Sequence, residues 1–128
     1  MSGLSTAEII AQHWDYANQG DWQKFKDLLA DDLYYEVPQT REYLHGAIAY
    51  LDLFQTWPGP WRAEIKEVIC ETNKAISIID FHSQTEIMRG LSIFYLQNGK
   101  ITQVTDYWPE EYEPPQRHSS YLKRHPQP

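Results

Sequence analysis

Asn98-Gly99-Lys100-Ile101-Thr102-Gln103-Val104-Thr105-Asp106-Tyr107-Trp108-Pro109 is the stretch on which the reading of this 128-residue chain turns. Asn98-Gly99 suits a two-residue type I′ turn, because both residue types tolerate the positive φ that such a turn demands. The turn joins a strand over Arg89 to Gln97 with a strand over Lys100 to Trp108. Alternation along the second strand puts Thr102, Val104, Asp106 and Trp108 on one face. Counting outward from the turn pairs Tyr95 with Thr102, Ile93 with Val104, Leu91 with Asp106 and Arg89 with Trp108. A single carboxylate beside an indole on a largely apolar face is the informative feature, since charge is rarely buried without a reason.

Working upstream, Ala75 to Thr85 is rich in β-branched and aromatic residues and reads as a strand. Thr72-Asn73-Lys74 is a turn, and Arg62 to Glu71 alternates through Ala63, Ile65, Glu67 and Ile69. Trp57-Pro58-Gly59-Pro60-Trp61 is a rigid turn with an indole on each side. The first part of the chain has helical spacing instead. Ser5-Thr6-Ala7-Glu8 is a capping box that opens a helix, and Ile9, Ile10, His13, Trp14 and Ala17 recur along one face until Gln19-Gly20 stops it. Asp21 caps a second helix with Trp22, Phe25, Leu28 and Leu29 as its stripe, ended by Asp31-Asp32. Leu33 to Val37 is a short strand closed by Pro38, and residues 39–45 are a loop. A third helix runs from Gly46 to about Trp57, with Ile48, Leu51 and Phe54 on one face. Helices followed by antiparallel strands predict an α+β fold, in which three helices on one face of a curved sheet leave a cone-shaped hollow.

Composition narrows the function. The length suits one domain over residues 1–108, followed by a Pro-rich tail over 109–128 that holds five of the eight prolines and reads as a strap or a loose end. A net charge of −7, with no Lys/Arg cluster before the tail, argues against a nucleic-acid partner. Cys70 is the only cysteine, which excludes an internal disulfide and a cysteine-clustered zinc site. No apolar run approaches membrane-spanning length and no signal-peptide pattern opens the chain, so the expectation is a cytoplasmic protein with no membrane partner. The histidines are scattered, the glycines are isolated, and no serine elbow is present. No metal and no cofactor are expected. An aromatic share of 14%, with 5 Trp and 9 Tyr, suits a pocket lining or an interface.

The order of several short motifs resembles the nuclear-transport-factor-2-like superfamily, in its SnoaL-like branch. They are Asn18-Gln19-Gly20-Asp21, Leu29-Ala30-Asp31-Asp32, His45-Gly46, Arg89-Gly90-Leu91-Ser92, Gly99-Lys100-Ile101 and Asp106-Tyr107-Trp108. The resemblance covers nearly the whole chain up to Trp108. It implies a conical barrel, a curved and mostly antiparallel sheet wrapped around three N-terminal helices with a pocket inside, and commonly a homodimer through the outer sheet face. The superfamily includes ketosteroid isomerase, scytalone dehydratase, limonene epoxide hydrolase, SnoaL-type polyketide cyclases and many proteins with no known reaction, so fold does not settle function. The cyclases' acid/base aspartate, counted from Lys100, falls on Asp106, and the isomerases' pocket Trp falls on Trp108. The isomerases' general-base aspartate falls on Val37 and their oxyanion tyrosine on His13, which implies that steroid isomerisation by that apparatus is broken here.

Asp106 and His13 are therefore the candidate catalytic residues. A carboxyl among Val104, Leu91 and Trp108 has its pKa raised by desolvation and can exchange a proton near neutrality; the competing reading pairs it, ionised, with Arg89. His13 titrates near neutrality, but a lone histidine on an apolar helix face is also an ordinary core residue. Candidates for ligand contact are Tyr35, Val37, Phe54, Trp57, Trp61, Arg89, Leu91 and Trp108. Asp80 and His82 share a strand face, as a dyad or as an outward polar stripe. The expected ligand is a small hydrophobic molecule. It undergoes cofactor-free cyclisation, isomerisation or dehydration, or it is bound without turnover. A third reading leaves only a dimeric interaction module.

Overall fold

The computed structural model describes residues 4–126. Its elements are α1 (Thr6–Gln19), α2 (Trp22–Asp27), β1 (Leu29–Val37), β2 (Glu42–His45), α3 (Ala47–Gln55), β3 (Arg62–Cys70), β4 (Lys74–His82), β5 (Ile87–Gln97) and β6 (Lys100–Tyr107). The six strands form one curved, unclosed sheet in the order β2-β1-β6-β5-β4-β3. Every pairing is antiparallel except that of β1 with β6. The α+β architecture expected from the sequence is present, with the helices packed on the inner face of the sheet.

The capping box forms: the Ser5 hydroxyl accepts from the Glu8 backbone N–H, and the Ser5 N–H donates to the Glu8 carboxylate. The helix ends at Gly20, whose φ of 72° is the left-handed conformation that glycine takes cheaply. Its buried stripe is the expected Ile9, Ile10, His13, Trp14 and Ala17. Ring and aliphatic side chains from all layers then meet in one core, where Ile10, Phe25, Leu33, Ile79, Phe94, Ile101 and Val104 are fully enclosed.

Several local expectations are corrected. The second helix stops at Asp27 and β1 begins already at Leu29, so Leu29 belongs to the sheet and Asp31-Asp32 lies within a strand. Part of the loop over residues 39–45 is the edge strand β2. The third helix is phased differently: it buries Ala47 and Tyr50 and leaves Ile48 63% exposed.

The closing hairpin carries the most consequential correction. Asn98 and Gly99 have φ of 52° and 76°, as a type I′ turn requires. The first pairs, Gln97 with Lys100 and Leu96 with Ile101, follow the register that the turn sets. A bulge at Thr102 then inserts one extra residue, and from Tyr95 paired with Gln103 onward the register is shifted by one. Asp106 therefore stands opposite Ser92 rather than Leu91. Such a bulge bends its strand, which suits a sheet curling around helices.

Candidate functional site

The shifted register sorts the side chains of β5 into two sets. Gly90, Ser92, Phe94 and Leu96 are buried on the inner face, while Leu91 and Arg89 belong to the outer one. Two expected ligand contacts are thereby displaced: Arg89 and Leu91 do not reach the interior. The Arg89 guanidinium, half exposed, donates through Nε to Asp80 Oδ1 at 2.7 Å across the β4–β5 pair. That hydrogen bond holds the Asp80 carboxyl below its ordinary pKa. Asp80 and His82 do not form a dyad; His82 Nε2 instead meets Glu64 Oε1 at 3.0 Å.

With Arg89 turned away, Asp106 has no cationic partner. The residue is 5% exposed. The Tyr35 hydroxyl donates to its Oδ2 at 2.7 Å and the Ser92 hydroxyl donates to its Oδ1 at 2.6 Å. Burial pushes its pKa up to about 6, and the two hydroxyl donors act in the opposite direction without cancelling it. Burial, reinforced by the adjacent Asp106 charge, raises the Tyr35 phenol above its ordinary value, so it remains a neutral donor.

Asp106 borders a cavity with about 40 Å³ open to the centre of a water-sized sphere. In that measure a single water needs roughly 10–15 Å³, so the space admits a few waters or one compact chemical group. Tyr35 and Trp108 flank the carboxylate, and Trp14, Leu53 and Phe54 close the helix side. The remaining wall is Trp57, Trp61 and Phe81. Phe81 is the hub of this wall, with ring centroids 5.4 Å from Trp57, 5.4 Å from Trp61 and 5.7 Å from Trp108. The Pro-Gly-Pro turn places its two indoles here, and Gly59 at φ 76° makes the reversal. Tyr35, Leu53, Trp57 and Trp108 also border a more open outer groove of about 300 Å³, where Val37 lies.

Trp108 is seated by a missing side chain. A Cβ on Gly90 would come within 2.6 Å of Trp108 Cζ3, so the indole lies directly on the glycine backbone. The Trp108 N–H donates to Gln39 Oε1, which fixes the chain as it leaves β6.

His13 sits elsewhere. It is fully buried, does not border the cavity, and its Nε2 is 2.7 Å from the Tyr50 hydroxyl. Its ring is enclosed by Trp14, Phe25 and Phe94 at centroid distances of 4.4, 4.9 and 5.0 Å. Burial lowers its pKa to about 3, so it is neutral at physiological pH. Tyr50 links it loosely to the site, its ring centroid 5.3 Å from that of Tyr35. Ser92, Leu53, Phe81 and Tyr50 complete the site although sequence reasoning did not single them out. Ser92 was hidden by the bulge and Tyr50 by the helix phase. Phe81 shares the buried face of β4 with Ile79, a placement that strand alternation allows but does not tie to the site.

Among the described residues no group of three or more His, Cys, Asp or Glu side chains is placed to hold a metal ion. No helix among them is long and apolar enough to cross a membrane.

No curated protein matches the chain. Among solved structures, one from Kribbella flavida DSM 17836, provisionally named a ketosteroid isomerase, is 31% identical with a TM-score of 0.87, over 94% of this chain and 89% of that one. A protein of Pseudomonas putida KT2440 provisionally named a polyketide cyclase has a TM-score of 0.70 at 19% identity, over 84% and 93% of the two chains. An NTF2-like protein of unknown function from Burkholderia xenovorans LB400 has a TM-score of 0.76 at 24% identity, over 92% and 93%. Residues 10–104 match the SnoaL-like domain, and the chain belongs to the SnoaL-like family of NTF2-like proteins.

Proposed function

We propose that the chain binds a small, largely apolar molecule in the cavity beneath Trp57 and Trp108, and that Asp106 exchanges a proton with it. The reaction class is cofactor-free cyclisation, isomerisation or dehydration. The observation that carries this reading is the position of Asp106 as the one carboxyl bordering the inner cavity, buried and without a cationic partner. With a pKa of about 6 it is mostly ionised at neutral pH and can accept a proton. Its conjugate acid lies close enough to neutrality to return it. Tyr35 orients the carboxylate, and Trp108 packs over the ligand. His13 enters only as a support for Tyr50, since it does not reach the cavity. The names of two similar structures, an isomerase and a cyclase, fall in the same reaction class.

The test is Asp106→Asn, assayed on any substrate found by screening cyclic and conjugated carbonyl compounds. General acid–base loss lowers kcat/KM by roughly 10²-fold or more, and the wild-type pH profile shows an ionisation near that of Asp106 which the variant lacks. Unchanged turnover in the variant sinks the catalytic role. A binding module without turnover is the second reading, favoured by the occupation of both Asp106 oxygens by hydroxyl donors. Retained ligand affinity with no detectable conversion decides for it.

The outer sheet face supports a homodimer. Ile76, Ile78, Leu91 and Ile93 lie there half-buried, with Ile69 exposed on the neighbouring strand. Size-exclusion and native mass spectrometry at the mass of one chain would remove this proposal.

A further inference from the structure

We infer that the largely apolar ligand of this cavity carries a compact cationic group, a protonated amine or a quaternary ammonium, that seats between Asp106 and the surrounding aromatic rings. The inference rests on the reading of the cavity as a ligand site and adds the charge of the ligand to it.

Three features of the molecule converge on positive charge. The first is the sign of the charges around the cavity and the two clefts that share wall residues with it. Asp106 borders the inner cavity, Glu42 borders the outer groove, and Glu110 and Glu111 border the cleft adjoining Trp108. Among the described residues no Lys, Arg or His borders any of the three. The nearest arginine in sequence, Arg89, is committed to Asp80 on the opposite face of the sheet. Glu42, Glu110 and Glu111 are exposed at the rim and Asp106 is buried, and carboxylates of one sign around a cleft concentrate cations and repel anions.

The second feature is the wall. Phe81, Trp57, Trp61 and Trp108 present a connected set of rings, and indole faces are the best cation–π partners among the side chains. Among the described residues only Leu53 of the inner wall is aliphatic, so a cationic group entering the cavity meets aromatic rings on most sides.

The third is Asp106 itself. A buried carboxylate with two neutral donors is incompletely compensated, because hydroxyl dipoles do not replace a counter-charge. A cationic group entering beside it supplies that charge, and a ligand without one leaves the deficit in place. The inner space takes a head group and the outer groove accommodates the rest of the molecule. The other titratable groups facing this region are Tyr35 from β1, Tyr50 from α3 and His13 from α1. All three are neutral at mildly alkaline pH, so Asp106 carries the charge that the cation meets.

The test compares choline with its uncharged isostere 3,3-dimethylbutan-1-ol, titrated calorimetrically into the full chain at pH 8 and constant physiological ionic strength. Choline is expected to bind at least about tenfold more tightly, a preference within the range of a desolvated cation–π and ion-pair contact. In Asp106→Asn, with an unchanged circular dichroism spectrum, most of that preference is expected to disappear. Equal or tighter binding of the alcohol overturns the inference about charge while leaving the cavity a ligand site. A preference that survives Asp106→Asn in full overturns the pairing with Asp106. Failure of both compounds to bind overturns this inference, while the ligand-site reading stands or falls separately by the substrate screen and Asp106→Asn assay.

Discussion

Acidification from pH 7 to pH 5 is expected to change the stability of this chain by no more than about 1 kcal/mol from its two fully buried titrating groups, because they oppose each other. Burial lowers the His13 pKa from 6.5 to about 3. In the unfolded chain the same imidazole takes up a proton below 6.5. The stability it contributes is therefore present above that value and is lost progressively as the pH falls towards the folded pKa. At pH 5 the loss is about 2 kcal/mol, from about 1.4 kcal/mol per pH unit below 6.5. Asp106 runs the other way. Burial raises its pKa from 3.8 to about 6. Its contribution is fully present below 3.8 and is lost as the pH rises through the folded value. Going from pH 7 to pH 5 regains about 1 kcal/mol of what its ionisation costs. Asp106→Asn removes the regain and exposes the His13 loss. Urea denaturation at pH 7, 6 and 5 reads the difference directly, since surface carboxylates such as Glu64 and Asp80 titrate alike in both proteins and cancel. The variant is expected to lose about 1 kcal/mol more than the wild type over this interval, and His13→Gln to lose less than the wild type. Parallel profiles for wild type and Asp106→Asn would refute the assignment of Asp106 as a buried carboxyl with a raised pKa.

Gly90→Ala is expected to unseat Trp108, because the new Cβ would approach the indole to 2.6 Å. A shifted tryptophan emission spectrum, weaker ligand binding and a stability loss of about 1–3 kcal/mol should follow, as for other overpacked sites; an unaltered emission spectrum would contradict the close contact. Arg89→Ala is expected to leave ligand affinity and the pH profile as in the wild type, since Arg89 is paired with Asp80 on the outer face. A change in either, read by the same calorimetric titration, would return Arg89 to the site.

What the sequence disclosed and what it withheld follow from the range over which each feature is decided. The capping box at Ser5, the stop at Gly20 and the buried stripe from Ile9 to Ala17 are set within a few residues, and they were legible. The Asn98-Gly99 turn was legible for the same reason, and so were the pairs beside it. The bulge at Thr102 was not, because it answers the curvature of the whole sheet. One inserted residue was enough to exchange Leu91 for Ser92 opposite Asp106 and to carry Arg89 out of reach. The third helix, Ala47–Gln55, is apolar on most sides, so its own periodicity is weak and packing chose Tyr50 over Ile48. The strand Glu42–His45 has an exposed pattern and exists through its pairing with Leu29–Val37, which no local signal announces. The aromatic wall was partly legible, since the Trp57-Pro58-Gly59-Pro60-Trp61 turn can hold its indoles in few ways. The hydroxyl pair around Asp106 required the register.

His13 and Asp106 show how the same degree of burial serves two purposes. Both are enclosed titratable groups with strongly displaced pKa values. His13 has rings on every side, a hydroxyl on Nε2 and an Nδ1 with no partner, so a proton can reach it only by opening the core. Its titration is coupled to folding. Asp106 borders a cavity that shares Tyr35, Leu53, Trp57 and Trp108 with an outer groove. Its titration is coupled to whatever enters. An asparagine at the same place would keep a side chain of the same shape beside Tyr35 and Ser92 without the roughly 3 kcal/mol that ionising the buried carboxyl costs at pH 7. Fold stability therefore gives no reason for a carboxyl at this position. On the proposed function, its charge serves the molecule that enters the cavity it borders.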